Sequence, residues 1–149
     1  NTNFTADGIL DTTTTLDGTE IKAFDTTIDQ ANPAMVMMAL ATYQAIDPNN
    51  PAVFSSIIID GHLRGDLGYD GVVISDSMSA AAVSAYDTTQ LGVKLVEAGG
   101  DLACIGDTNY VVPILDGLST RTASDPAFAN KVTQSAIRVM TLKIKMGLA

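Results

Sequence analysis

Gly68–Ala80, GYDGVVISDSMSA, places a turn, a strand and an acid side by side. Val72, Val73 and Ile74 are apolar and β-branched, the chemistry of a strand. They run without polar interruption, which predicts a strand covered on both faces, as in a parallel sheet with helices around it. Ser75 and Asp76 then follow with no transition. In parallel β/α proteins ligands gather at the C-terminal ends of the strands, so an acid just past a buried strand is placed for function. Asp and Ser are also good helix N-caps, and the following SMSAAAV would accept a cap. The pattern alone leaves both readings open.

Outward from this stretch, strand-like and helix-like segments alternate. Residues 1–15, NTNFTADGILDTTTT, are rich in Thr, Asn and Asp and read as a loop. Asp17 and Glu20 fit a capping box for a helix carrying Ile21, Phe24 and Ile28 on one face, stopped by Asn32-Pro33. Ala34–Leu40, AMVMMAL, reads as a second strand buried on both faces, followed by the loop TYQAIDPNNP. Ser55 caps a helix through SIIIDGHLRGDL, with Asp60 and Arg64 spaced for an i,i+4 pair. Asp87 and Gln90 form another capping box, and Gly99 ends that helix. LACI, Leu102–Ile105, is the third buried strand. NYVVPILDGL reads as a short helix that tolerates Pro113 only in its first turn. Asp125-Pro126 opens a long helix to about Met146, with Phe128, Val132, Ala136 and Met140 along one stripe and Gly147 as its stop.

Strands alternating with helices define an α/β fold of parallel β/α units. Three strands of buried type would leave an exposed edge on each side. The chain is therefore expected to be the C-terminal part, over residues 1–149, of one larger α/β domain.

Composition removes several functions. Of 149 residues, 46% are hydrophobic, enough for a core. Seventeen acids against eight bases give a formal charge of −9. A nucleic acid or an anionic membrane surface needs clustered Lys and Arg, so neither is expected as a partner. No apolar run approaches the roughly 20 residues of a membrane span. The lone Cys104 has no disulfide partner and reads as a small buried side chain. With one His, His62, and no Cys/His cluster, no metal site and no cofactor are expected. Glycine-rich phosphate-binding loops are absent from the sequence. The N-terminus lacks the basic and apolar regions of a signal peptide and does not start with Met. The abundance of Thr, Asn and Asp and the low Lys content favour a secreted or cell-envelope bacterial protein over a cytoplasmic one.

LRGDLGYDGVVISDSMSAAAV, Leu63–Val83, closely resembles the signature of glycoside hydrolase family 3, roughly L-R-x-x-L-G-[FY]-x-G-[VL]-[VI]-x-S-D. The likeness extends to the stretch before it, including the A-[IL]-D-P turn at Ala45–Pro48, and to LVEAGGDLACI, similar to an A-G-x-D segment. SAIRVMTLKIKMGLA looks like the closing helix of the bacterial β-N-acetylhexosaminidase branch. The resemblance covers residues 18–149. It implies a (β/α)8 TIM-type barrel of which this chain holds about strands six to eight, with the upstream half, on a second chain or a cleaved segment, as a required partner.

The resemblance also implies a retaining, exo-acting glycosidase for a carbohydrate substrate with β-linked sugars, and makes Asp76 the nucleophile. Retaining enzymes need a proton donor about 5 Å from that carboxylate. In the branch an Asp-x-His pair after the fifth strand does this. The corresponding residues 1–15 hold Asp7 and Asp11 but no His, leaving Asp11 as the acid/base candidate, with a solvated turn as its alternative. Tyr43, Ser75, Ser77 and Met78 are the expected substrate-binding residues. Leu40, where the branch often has His, and Ser77, where Asp commonly follows the nucleophile, are further departures. The alternative reading is a non-catalytic relative that binds glycan or serves a structural role. His62 falls on the outer helix, away from the active face. Asp47-Pro48 reads as a turn that could border the pocket, and Asp70 as a turn residue.

Overall fold

In a computed structural model of the chain, residues 1–6 and 8–149 are described. The fold is α/β. Strands β1 (Leu10–Asp11), β2 (Met35–Met38), β3 (Thr42–Tyr43) and β4 (Val72–Ser75) and helices α1 (Thr19–Ala31), α2 (Thr88–Glu97), α3 (Val111–Ser124) and α4 (Pro126–Lys145) follow in the order β1-α1-β2-β3-β4-α2-α3-α4. A π-helix spans Ile57–Asp66 between β3 and β4. β2 and β4 pair in parallel, Met35 with Val72 through Met38 with Ser75. β1 and β3 form a separate two-residue parallel pair, Leu10 with Thr42 and Asp11 with Tyr43. Neither short strand was legible in the loops that contain them.

β4 falls where the apolar run predicts, and Val72 and Val73 are buried. β2 departs from expectation. Side chains alternate across a strand, and here the alternation separates two environments. Val36 and Met38 pack against a core with Val73, Ile59, Leu63, Tyr69 and Ala98. Met35 and Met37 are 45% and 59% exposed. β2 is therefore packed on one side and exposed on the other, correcting the reading of AMVMMAL as buried on both sides, while β4 keeps both Val72 and Val73 buried.

The third strand is reduced to a single parallel bridge between Ile74 and Leu102. Ser75 explains why. Its hydroxyl accepts the Cys104 N–H at 2.9 Å, the bond a regular ladder would give to a backbone carbonyl. Cys104 is half-buried rather than buried.

Caps decide the helix limits. Asp125 accepts the N–H groups of Ala127 and Phe128, with Pro126 at the first helical position, so α4 begins where its sequence says. Gly147, at φ 71°, follows its end. Asp87 accepts the Thr89 N–H of α2, but Gln90 bonds the Thr89 hydroxyl, so only half of that capping box forms. Gly18, not Asp17, precedes α1; Asp17 instead accepts the Thr15 hydroxyl. Asn32 ends α1 in the left-handed conformation at φ 42°. Ser56, not Ser55, precedes the π-helix, and the Ser55 hydroxyl accepts the Ile58 N–H in its first turn.

α1 buries no residue, and Phe24 is 67% exposed. Between α1, β2 and the π-helix lies an apolar groove of about 420 Å³, lined by Ile21, Phe24, Ile28, Met35, Met37 and Leu63 among others. Along α4 only Phe128 of the expected apolar stripe is buried, while Ile137, Met140 and Ile144 are exposed.

Candidate active site

The Asp76 backbone is part of the sheet. Its N–H donates to the Met38 carbonyl at 2.9 Å, one step beyond the last paired residue of β4. The strand alternation carries its side chain to the same side as Ile74 and Met37, and Asp76 is partly exposed. One carboxylate oxygen, Oδ1, accepts the Ser77 N–H at 2.7 Å. The other, Oδ2, meets the Thr2 hydroxyl at 3.5 Å. A rigid backbone thus presents a partly exposed carboxylate with one oxygen only lightly engaged. Geometry of this kind suits a nucleophile, because an oxygen saturated by donors is a poor attacking group. The N-cap alternative is not adopted: the next helical turn, Ala81–Val83, is preceded by Ala80.

The residues around Asp76 divide. Ser77 stays close, its hydroxyl paired with Ser79 at 3.0 Å, and the Ser79 hydroxyl accepts the Gly106 N–H. Ser75 is removed from the substrate-binding set, because its side chain is fully buried and holds Cys104. Met78 is removed too: it is 0% exposed, in a core with Leu40, Val53, Phe54 and Leu91. Tyr43 lies in β3 beside Asp11 and lines the apolar groove by α1, which does not include Asp76. Burial, with a smaller contribution from the Asp11 charge, raises the Tyr43 hydroxyl above its ordinary value.

Asp11 is a turn residue. Its Oδ1 accepts the N–H groups of Thr13 and Thr14, and its Oδ2 accepts the Thr14 hydroxyl at 2.9 Å. The Thr14 and Thr13 amides hold its carboxyl below the ordinary range, the wrong direction for a proton donor. Asp7 lies outside the described residues. Asp47 is buried in its loop; burial pushes its carboxyl up, but hydrogen bonds from Ser55, Asn50 and Asn49 outweigh this and hold it low. His62 sits between Asp25 at 3.0 Å and Asp66 at 3.3 Å, joining the π-helix to α1.

The opposite end of β4 holds an ion cluster that pattern reading missed. The Asp101 side chain, with no exposed surface, accepts Arg64 Nη2 at 2.7 Å, Arg138 Nε at 2.9 Å and the Val73 N–H at 2.8 Å. Arg64 also donates to the carbonyls of Gly99, Tyr69 and Gly71. The expected Asp60–Arg64 pair does not form, and Asp60 takes Lys131 instead. The buried carboxylate draws Arg64 inward, where a surface pair offers little. The visible signals for Asp101 were its position beside the apolar LACI and its place as the acid of the A-G-x-D segment.

Among the described residues no group of three His, Cys, Asp or Glu is placed to hold a metal, and no helix is long and apolar enough to cross a membrane.

An α/β sheet with an acid at the C-terminal end of a central strand defines the class, and comparison with known proteins gives the family. Residues 7–142 match the glycosyl hydrolase family 3 N terminal domain. The chain belongs to that family. A β-hexosaminidase of Alkalilimnicola ehrlichii is 38% identical over 99 residues, covering 66% of this chain and 28% of that protein. The crystal structure of a β-N-acetylhexosaminidase from Beutenbergia cavernae superposes with a TM-score of 0.90 at 39% identity, over 96% of this chain and 42% of that one. A family 3 β-N-acetylglucosaminidase from Paenibacillus superposes at 0.82 with 29% identity, over 97% of this chain and 28% of that one. The chain thus spans between 28% and 42% of the length of these relatives.

Proposed function

We propose that this chain is the nucleophile-bearing part of a retaining glycoside hydrolase acting on terminal β-linked N-acetylhexosamine. The observation that carries the reading is Asp76: a carboxylate just beyond the C-terminal end of a sheet strand, its backbone held by Met38, its Oδ2 lightly engaged. Oδ2 attacks the anomeric carbon, the glycosidic bond breaks, and a covalent glycosyl–Asp76 ester forms; water then attacks that carbon and restores the carboxylate. Asp11, whose carboxyl is held below the ordinary range by Thr14 and Thr13, is not the general acid in this reading, which takes the proton donor from a preceding segment.

The same segment completes the architecture in this reading. The chain corresponds to about strands six to eight and flanking helices of a (β/α)8 barrel, as one part of a single catalytic domain over residues 1–149. Exposed Met35 and Met37, the groove beside α1, and exposed Ile137, Met140 and Ile144 on α4 are the surfaces that the rest of the barrel covers. The isolated 149-residue chain turns over no glycoside; joined to the preceding half, it does.

A second reading, a glycan-binding or structural relative without turnover, draws on Asp11, the acid/base candidate, whose carboxyl is lowered rather than raised. Azide separates the two. The full-length protein cleaves an aryl β-N-acetylglucosaminide, Asp76→Ala abolishes this, and added azide restores cleavage with release of the α-glycosyl azide. Binding of chito-oligosaccharides with no cleavage across a panel of aryl glycosides selects the second reading.

A further inference from the structure

We propose that Thr2 is a positioning residue for the nucleophile, an inference that rests on the hydrolase reading above. The chain start was expected to bring an acid to the site; what it brings is a hydroxyl. Asn1–Phe4 forms a tight turn in which the Asn1 carbonyl accepts the Phe4 N–H at 3.0 Å and Asn1 Oδ1 accepts the Asn3 N–H at 3.0 Å. The turn is docked rather than loose. Thr2 and Asn3 carbonyls accept the N–H groups of Ala82 and Ala81 at 3.1 and 3.4 Å. Ala81 lies five residues downstream of Asp76, so the segment leaving the nucleophile also holds the turn that faces it.

Within this frame the Thr2 hydroxyl stands 3.5 Å from Asp76 Oδ2, while the Ser77 amide holds Oδ1. The Oδ2 contact is longer than a relaxed hydroxyl–carboxylate bond of about 2.6 Å. Catalytic hydrogen bonds are often long in unliganded structures and tighten in the substrate complex. Two donors on opposite oxygens fix rotation of the carboxylate about its Cβ–Cγ bond. The Ser77 amide alone leaves that rotation free to turn Oδ2 away from the sugar. Thr2 thus aims the attacking oxygen and leaves it a usable lone pair.

The test is a double-mutant cycle in the full-length protein with an aryl β-N-acetylglucosaminide. Thr2→Val keeps the shape and removes the donor, so it lowers kcat/KM about tenfold, with the thermal midpoint unchanged. Thr2→Ser restores the rate to within about twofold, as a side-chain donor worth one such step requires. In the Asp76→Ala background, with azide as the nucleophile, there is no carboxylate to aim, and Thr2→Val changes the rescued rate by less than about twofold. A Thr2→Val enzyme as fast as the wild type overturns the proposal, as does an equal loss in the azide-rescued background, which would mark a structural role. A wild type inert toward all aryl glycosides overturns the hydrolase reading itself, and this proposal falls with it.

Discussion

Two carboxylates at opposite ends of one strand meet opposite treatment. Asp101, beside the start of β4, is buried and saturated by two guanidinium groups and the Val73 amide. Asp76, past the end of β4, is partly exposed and holds one short bond and one long one. A buried charge survives only when its partners replace the water it lost. A reacting carboxylate needs the reverse, an oxygen with spare capacity. The sheet thus uses one residue type to lock its base and, in the hydrolase reading proposed above, another copy of it to arm its rim, in line with the division of β/α folds into a stability face and an active face.

Breaking the saturated end has the largest consequence for stability. Asp101→Ala leaves Arg64 and Arg138 unpaired and lowers stability by about 3–5 kcal/mol, measured by urea unfolding of the full-length protein. Ser75→Ala, in the middle of the contrast, orphans the Cys104 N–H and costs about 1–3 kcal/mol by the same measurement. Acid sharpens the contrast among the capping acids. Hydrogen bonds from Thr89 hold Asp87, and those from Phe128 and Ala127 hold Asp125, below the ordinary aspartate value. A lowered folded-state value means stability present above about pH 4 and lost as pH falls through the folded value. Asp87→Asn with Asp125→Asn keeps the caps without the titration, so the decline below pH 4 becomes shallower. Asp76→Asn, at the unsaturated end, has the smallest effect on stability, within about 0.5 kcal/mol of the wild type, since Asn retains an acceptor for the Ser77 amide. A loss of 2 kcal/mol there would erase the distinction between the two ends.

Local features of the chain were readable in advance. β4 was legible because three apolar residues and a bounding glycine admit little else, and α4 because Asp125-Pro126 both caps and starts it. Asp76 was placed at the strand end by position alone. Ser75 and Met78 lie away from Asp76's exposed side because sequence neighbours need not share one side of the chain: alternation buries Ser75, and Met78 folds back into the core. The third strand was lost to a single hydroxyl, and Arg64 went to Asp101 rather than Asp60 through a contact 37 residues away that no local spacing encodes. β2 looked two-sided because an apolar run reports hydrophobicity and not what covers it. Thr2 carried no signal, being one polar residue in a polar segment.

Peptide mass mapping after a slow fluorinated N-acetylglucosaminyl donor is mixed with the full-length protein tests the central claim most directly. The account predicts one added sugar, on the peptide that contains Asp76, lost again as the intermediate turns over. A stable sugar adduct on any other carboxylate, or turnover of the donor with Asp76 replaced by Ala and no added nucleophile, contradicts it.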